Sequence, residues 1–475
     1  MPDKKFDIII IGGGAAGLVA AVAAGAFGAK TALIEKDKLG GECSWTGCIP
    51  SKTLLAAAEL IHKIRQSPWL ECGFSSENKT LLENNVMEHV RSTVKAAAKA
   101  SKAAALLNRY AVEVIIGNPV FVSKNTIKLE QEIYSARHFI LCSGSSPAVP
   151  DIEGLEPGYL TNQNIWDLSR VPKSLMVIGG GPIGVEMAQA FNRLGSRVEL
   201  IQSRDRLLPR DDQELALELG RLLLAEGINI HYNSRVKEVK KLARGWRIAG
   251  VLENDQLLET DELLIASGRT ANLSNLNLEA AGVHYNAGGV TVNDYMRTNV
   301  KNIWAAGDCT GRYQFSHIAE IEAKTAVMNA LFPLKRKVNY QGVPWATFTD
   351  PELAHLGLTE EECLEKYIKY KIYKQPFNGD DRAITEGNTA GMVKIITTPS
   401  GKIIGAHILG PRAGELINEL VLARYKKIGV FGLGQSIHVY PTLGLAVQRA
   451  TDEWFAELAG RPLVVGLAKL FSNRM

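Results

Sequence analysis

A glycine-punctuated segment occurs twice in this chain, 167 positions apart: Gly12-x-Gly14-x-x-Gly17 and Gly179-x-Gly181-x-x-Gly184. Each copy follows an apolar run with strand character (6–11 and 174–178), opens a helical stretch (15–28 and 185–194) and leads into a second apolar run (30–35 and 197–202). That order is a βαβ unit, so two copies commit much of the chain to parallel α/β architecture. The first glycine permits the tight turn, the second lets backbone approach a pyrophosphate, and the third lets helix and strand pack closely. The phosphates then meet a helix N-terminus, where free N–H groups and the dipole favour an anion. Two apolar runs, 139–143 before Gly144 and 263–267 before Gly268, each end in a Ser-Gly turn and close one nucleotide unit.

A chain of 475 residues is too long for one hydrophobic core. Apolar residues at 46% and charged residues at 22% are ordinary for a soluble multidomain protein. The net charge of +4, with Lys and Arg scattered, gives no nucleic-acid footprint. The uncharged run from Ile8 to Ala29 has the length of a membrane span, but Gly12, Gly13, Gly14 and Gly17 break it where a strand should turn into a helix. A buried strand and a cytoplasmic protein without a transmembrane segment are expected. The six cysteines agree, since one close pair with scattered singles is not a secreted disulfide framework.

The Pro/Gly-rich stretch 147–158 reads as a linker into the second nucleotide unit and 272–277 as the exit from it. The run 300–306 then leads into Gly307-Asp308, a strand-end acid of the kind that reaches a cofactor. From about 343 the pattern changes to strands (393–397, 403–409) among helical stretches (359–366, 414–427, 443–458), an α+β domain. Residues 96–107 are Ala/Lys-rich and predict one helix without chemistry, and 52–64 predicts another.

The duplication allows an internal comparison. In the first copy Glu35 stands 23 positions after Gly12, placed for a ribose hydroxyl. The same offset from Gly179 lands on Gln202, followed by Ser203-Arg204-Asp205-Arg206. An acid there would repel a 2′-phosphate, whereas an amide, a hydroxyl and two cations would receive one, which favours NADPH and leaves NADH possible. The competing reading is that Arg204 and Arg206 are solvated loop charges.

Gly41-Glu-Cys43-Ser-Trp-Thr-Gly-Cys48-Ile-Pro-Ser-Lys52 follows the first unit. Two cysteines so spaced at a helix start could close a disulfide, and the helix N-terminus would stabilise a Cys48 thiolate. A zinc site lacks a second Cys/His pair at suitable spacing, and no metal site is expected.

These features together resemble the class I pyridine nucleotide-disulfide oxidoreductases, the family of dihydrolipoamide dehydrogenase, glutathione reductase and mercuric reductase. The resemblance covers essentially the whole chain: the glycine-rich start with Glu35, the Cys43–Lys52 segment, 179–186, Gly268-Arg-Thr-Ala-Asn272, Ala306-Gly-Asp308 and Phe348-Thr-Asp-Pro-Glu352. It implies two Rossmann-like dinucleotide-binding domains plus a C-terminal α+β dimerisation domain: FAD-binding over 1–150, NAD(P)H-binding over 151–272, a return to the FAD-binding and central part over 273–342, and dimerisation over 343–475. FAD would lie against Gly12, Gly14, Ala16, Gly17, Glu35, Lys36, Gly41, Ser143, Gly144, Gly307 and Asp308, the last on the ribityl chain. The nicotinamide nucleotide would use Gly179, Gly181, Gly184, Gln202, Ser203, Arg204, Gly268 and Arg269. Cys48 would be the flavin-proximal thiol, Cys43 the outer thiol that attacks substrate, and Lys52 and Glu186 a pair beside the flavin N5.

One segment departs from the family. Where its members carry His-x-His-Pro-x-x-x-Glu, whose second His serves the thiols across a dimer interface, this chain has His438-Val-Tyr440-Pro-Thr-Leu-Gly-Leu445. A phenol, with an ordinary pKa of about 10, is a poor base at neutral pH, and a leucine orients nothing. Mercuric reductases also carry Tyr at that place, but they end in a vicinal cysteine pair, and this chain has no cysteine after Cys363. His438 is the substitute base in one reading and a packed interface histidine in the other. His317 is likewise either near the flavin or structural, Cys309 reads as a buried small side chain, and the apolar tail 463–471 packs on its domain or meets a membrane surface. The expected protein is a homodimeric, FAD-dependent NAD(P)H oxidoreductase passing electrons through Cys43 and Cys48 to a disulfide, persulfide, quinone-like or soft-metal acceptor. The alternatives are a mercuric or other metal-ion reductase and a slow-turnover redox sensor or electron-transfer subunit.

Overall fold

The computed structural model describes residues 4–66, 76–155, 158–242, 248–460 and 462–472. They fall into two compact units: Met1–Gly179, Leu194–Ser196 and Val236–Asn339 make one, and Gly180–Arg193, Arg197–Arg235 and Tyr340–Met475 the other.

The first unit is built on a sheet whose middle is parallel. Strand Lys4–Ile11 lies between Thr31–Glu35 and Glu132–Leu141, Glu113–Ile116 extends one side, and Ile303–Ala305 also pairs in parallel with Glu132–Leu141. Ile8, Ile9 and Ile10 are wholly buried, as a strand covered on both faces requires. The uncharged run is thus a core strand and a core helix, and among the described residues no helix is long and apolar enough to cross a membrane. Helix Ala15–Ala26 turns Ala16, Gly17, Ala20, Ala21, Ala24 and Gly25 inward and packs against helix Ser316–Leu331. Small side chains let it sit close to the sheet. Strands Val120–Ser123 and Thr126–Leu129 continue the sheet as an antiparallel meander. In the same unit Ser174–Ile178 pairs in parallel with Glu262–Ile265.

The second unit carries helix Pro182–Arg193, the parallel pair Arg197–Ile201 and Asn229–His231, and helix Gln213–Ala225. Its largest element is an antiparallel sheet in the order Pro344–Thr347, Glu352–Gly357, Ile403–Gly410, Met392–Thr397, Lys371–Pro376. Helix Ala413–Tyr425 buries Ile417, Leu420 and Ala423 in the core shared with Leu356, Tyr373 and Ile408.

Three helical expectations need correction. The stretch 96–107 is two helices, Ser76–Ala100 and Ala103–Arg109, parted at Ser101-Lys102, where the Ser101 hydroxyl accepts from Ala103 N at 3.3 Å in competition with the helical backbone. The stretch 443–458 is likewise Gly444–Arg449 and Asp452–Ala459, with Thr451 Oγ1 donating back to Gln448 O at 2.6 Å at the break. The helix expected over 52–64 starts earlier, at Cys48. In the tail, helix Pro462–Ser472 leaves Leu463 75% and Leu470 56% exposed, so packing on its own domain does not cover them.

One buried contact in the second unit makes its stability pH-dependent. Asp211 Oδ1 accepts from Trp345 Nε1 at 2.9 Å, and burial pushes the Asp211 carboxyl up to about 7. A carboxyl raised above its unfolded value favours the fold below about pH 4, and that contribution is lost as pH rises through about 7. Asp211→Asn keeps an acceptor for the indole and removes the ionisation. The variant is expected to melt higher than the parent at pH 8 and within a degree or two of it at pH 4.5, and an equal difference at both pH values would contradict this reading.

Candidate functional site

The first glycine turn is closed by backbone contact. Gly12 has φ 105°, and a Cβ on it would lie 2.2 Å from Cys142 O; one on Gly17 would lie 1.7 Å from Gly12 O. Gly14 caps helix Ala15–Ala26 without any side-chain hydrogen bond, and no acid occupies the first turn, so that N-terminus is open to an anion. Gly41, at φ 61°, meets Gly14, and a Cβ there would stand 2.5 Å from Gly14 Cα. Glu35, buried at the end of its strand, accepts from Gly13 N at 2.5 Å and Asp37 N at 2.9 Å; Lys36 beside it is exposed. Gly307, at φ 80°, lies against Ala16 and donates its N–H to Glu322 Oε2 at 2.7 Å. Asp308 Oδ2 accepts from Ser145 Oγ at 2.6 Å. Ser143 Oγ is buried with no hydrogen-bond partner among the described residues, next to Gly144 at φ 72°. An uncapped helix end, glycines that clear the backbone and an orphaned hydroxyl fit a dinucleotide over Gly12, Gly14, Gly41, Ser143 and Asp308.

Cys43 lies on the short helix Gly41–Trp45 and Cys48 begins helix Cys48–Gln66. Both are free thiols, Cys43 half-buried and Cys48 exposed. They hydrogen-bond to each other: the Cys48 thiol donates, pulling Cys43 down to about 6, while Cys48 itself is held well above its ordinary range. The hydroxyl of Ser316 and the charge of Lys52 favour the thiolate on both sulfurs. A neighbouring S–H donor favours the thiolate form of the sulfur it points to.

A polar clamp fixes this segment. Glu42 pairs with Arg269 and accepts from Asn162 Nδ2 at 2.8 Å. Arg269 also donates from Nε to Ser145 Oγ at 2.8 Å and lies 3.6 Å from Asp308 Oδ2. Trp166 Nε1 donates to Thr46 O at 3.0 Å. Arg269, expected against a nucleotide, thus directs Nε and Nη2 to the cysteine segment and the Asp308 cradle. The clamp roles of Glu42, which lies inside the cysteine segment, and of Asn162 and Trp166, which stand in no motif, become visible only through contacts distant in sequence.

The second glycine turn repeats the first. A Cβ on Gly179, at φ 118°, would lie 2.4 Å from Ala266 O, whereas one on Gly181 would meet open space; Gly184 is buried in its helix. Gly268, at φ 143°, ends its run beside Ala148. Gln202 is buried, packs under Gly180 and donates from Nε2 to Arg206 O at 2.7 Å. Ser203 and Arg204 are exposed. Arg206 pairs with Glu361 at 2.6 Å, so it is not the solvent-facing second cation expected from sequence. Glu186, buried on helix Pro182–Arg193, accepts from Phe348 N at 2.9 Å.

In the C-terminal domain Tyr440 is 67% exposed. His438 Nε2 lies 2.9 Å from Glu419 Oε1, and Nδ1 lies 3.2 Å from Ser436 O. A carboxylate therefore does orient this histidine, contributed by helix Ala413–Tyr425 and not by position 445. His317 stacks on Phe315. Cys309 donates to Leu141 O at 3.3 Å and is pushed up to about 12 by burial, as a structural thiol should be. Cys142 and Cys363 are buried, and Cys72 lies outside the described residues. No group of three His, Cys, Asp or Glu side chains able to hold a metal occurs among the described residues.

Residues 6–323 match the pyridine nucleotide-disulphide oxidoreductase family and residues 343–451 its dimerisation domain. A mercuric reductase of Bacillus cereus is 34% identical over 454 residues, covering 94% of this chain and 71% of that protein. A dihydrolipoyl dehydrogenase of Chlamydia muridarum is 32% identical over 454 residues, covering 93% and 95%. Among solved structures, LpdA from Mycobacterium tuberculosis superposes with a TM-score of 0.85 at 27% identity, covering 95% of this chain and 99% of that one. The Cu(II) complex of the HOCl-induced flavoprotein disulfide reductase RclA from Escherichia coli gives 0.84 at 27% identity, covering 94% and 99%.

Proposed function

Since the chain belongs to the pyridine nucleotide-disulphide oxidoreductase family, we propose that it uses NADPH to reduce a disulfide, persulfide, quinone-like or soft-metal acceptor at Cys43 and Cys48. The observation that carries this reading is the pair of free thiols itself, Cys43 on helix Gly41–Trp45 and Cys48 at the start of helix Cys48–Gln66, each shifting the ionisation of the other. FAD, held over Gly12, Gly14, Gly41, Ser143 and Asp308, supplies two-electron transfer between the nicotinamide and the cysteine pair when bound.

The Cys43 thiolate attacks an acceptor sulfur and expels a thiolate. Bonding to that sulfur removes the charge that held the Cys48 proton, so Cys48 can ionise, attack Cys43 Sγ and release the second half of the acceptor. The proton from Cys48 goes to the departing thiolate. His438, oriented by Glu419, and Tyr440 are the residues assigned to carry it, delivered from the second subunit of a homodimer. Lys52 and Glu186 are assigned to the flavin side of the site. Metal-ion reduction is the second reading, favoured by Tyr440 and by the likeness to a mercuric reductase.

Anaerobic titration with NADPH tests the relay. The expected product is a two-electron-reduced enzyme with a long-wavelength thiolate–flavin band, followed by acceptor-dependent NADPH oxidation when lipoamide, oxidised glutathione, Hg(II) and quinones are compared. A flavin that reduces without forming two titratable thiols would end the proposal. For the nucleotide, Arg204 is the exposed cation beside Ser203. Arg204→Ala is expected to raise the KM for NADPH by about tenfold while leaving that for NADH within about twofold. Equal changes for both would remove Arg204 from 2′-phosphate recognition.

A further inference from the structure

Helix Gly41–Trp45, which carries Cys43, has five residues and buries none of them. A helix this short does not sustain itself, and this one has no apolar face to hold it in place. Polar contacts fix it instead, on both sides of Cys43 and all within the first compact unit. On one side the Glu42 carboxylate pairs with Arg269 and accepts from Asn162 Nδ2 at 2.8 Å. On the other, the carbonyl of Thr46 accepts from Trp166 Nε1 at 3.0 Å and from Asn162 Nδ2 at 3.4 Å, so Asn162 serves both anchors. Trp166 is itself fixed: it is buried, its Nε1 also donates to Asn162 O at 2.7 Å, and its own carbonyl accepts from Arg91 Nη1 at 3.0 Å. Behind Glu42, Arg269 donates to Ser145 Oγ at 2.8 Å, and that hydroxyl donates to Asp308 Oδ2 at 2.6 Å. The backbone of the outer cysteine is thereby referenced to the cofactor cradle. Gly47 completes the return toward Cys48, where a Cβ would stand 3.0 Å from Cys43 Cα.

Resting on the dithiol reading above, we propose that Glu42, Asn162 and Trp166 are positioning residues for the resolving step, holding the backbone of Cys43 where its sulfur stays within reach of Cys48 once an acceptor has been attacked. At that point Cys43 Sγ is bonded to one half of a disulfide acceptor, and the other half has left as a thiolate and taken the Cys48 proton. The Cys48 thiolate attacks Cys43 Sγ. The Cys43–Cys48 bond forms, the bond to the acceptor sulfur breaks, and the second half departs as a thiolate. The dithiol is oxidised and the acceptor disulfide is reduced, and none of the three positioning residues exchanges a proton. They act on the effective concentration of one sulfur at the other, which a fixed backbone raises and a loose one lowers. That concentration enters both the rate of ring closure and the equilibrium between dithiol and disulfide. An acceptor that must be released quickly needs the closure to outrun the reverse attack, and the two anchors supply that bias without touching either sulfur.

The test compares the FAD-loaded, full-length parent with Glu42→Gln and Trp166→Phe. The first keeps an acceptor for Asn162 and removes the ion pair with Arg269; the second keeps an aromatic ring and removes the N–H from Thr46. Each protein is equilibrated in mixtures of reduced and oxidised glutathione, quenched with acid, alkylated and weighed, which separates dithiol, mixed disulfide and Cys43–Cys48 disulfide. In both variants the equilibrium constant for closing the Cys43–Cys48 disulfide is expected to fall about tenfold, a rise of about 30 mV in its potential. The mixed disulfide of Cys43 with glutathione should persist about tenfold longer. An equilibrium and a lifetime unchanged in both variants would overturn the proposal. So would a shift confined to one of them, because two anchors on the same backbone must act in the same direction. Loss of FAD from either variant would mark a structural role and count against it as well. A parent in which glutathione never yields a Cys43–Cys48 disulfide would instead bring down the reading of function.

Discussion

Cys48→Ala in the FAD-loaded enzyme is expected to reduce NADPH-driven turnover with any disulfide acceptor by about a thousandfold or more, because the resolving sulfur is gone and the mixed disulfide on Cys43 cannot collapse. The same substitution removes the donor that pulls Cys43 down to about 6. The alkylation midpoint of Cys43 should therefore climb toward the ordinary thiol range, and reactivity near neutral pH should fall. The sign is fixed by chemistry: an acid whose anion loses a hydrogen-bond donor ionises at higher pH. Cys43→Ser should abolish disulfide turnover to a similar degree while keeping the flavin-proximal thiol, and with it the long-wavelength band that Cys48→Ala loses. Stopped-flow absorbance and pH-dependent alkylation read both outcomes. Retained turnover in Cys48→Ala, or a Cys43 midpoint that stays near 6, would remove the shared-proton pair from the mechanism.

The parts of this site visible in sequence are those that backbone geometry demands. Gly12, Gly17 and Gly179 occupy places where a Cβ would collide with backbone, and Gly307 holds φ 80°, so the motif and the contact are one fact. The βαβ order followed from the same punctuation and from strands apolar on both faces. The Cys43–Cys48 spacing was equally legible, but the placement of charge within it was not. That depends on which thiol donates to which, and on Ser316, 268 positions after Cys48. Glu42 and Arg269 meet across 227 positions, and the Glu419 that orients His438 belongs to a helix ending thirteen positions before the segment that looked bereft of a carboxylate. Arg206 reads as a free loop cation until Glu361 is folded against it. In each case the deciding partner is supplied by tertiary structure, where no local period or spacing marks it. The helix boundaries failed for a related reason: Ser101 and Thr451 sit inside helical patterns, and their hydroxyls compete for backbone.

The second unit contains a charge whose removal should cost more than any single core methyl. Lys394, on strand Met392–Thr397, is 1% exposed, and its Nζ contacts Asp212 at 2.9 Å, Glu214 at 3.0 Å and Glu360 at 3.0 Å. Asp212 is equally buried and also caps helix Gln213–Ala225 by accepting from Leu215 N. The three carboxylates come from the start of that helix and from helix Glu360–Glu365, so one ammonium ties two helices to the sheet. Lys394→Met fills most of the same volume but leaves Asp212 buried and charged, with Glu214 and Glu360 beside it and only Lys374 remaining, on Glu214 at 2.6 Å. Breaking a buried pair by deleting one partner costs about 3–5 kcal/mol, because the survivor cannot return to water. The expected result is a large loss of stability confined at first to this unit, seen as an early melting transition and faster amide exchange in helix Gln213–Ala225. Adding Asp212→Asn, which keeps an acceptor for the helix cap, should recover much of the loss. If the single variant unfolds with the parent, the cluster is more open to water than its burial implies. If the double variant is no better than the single, the uncompensated Asp212 is not what destabilises it.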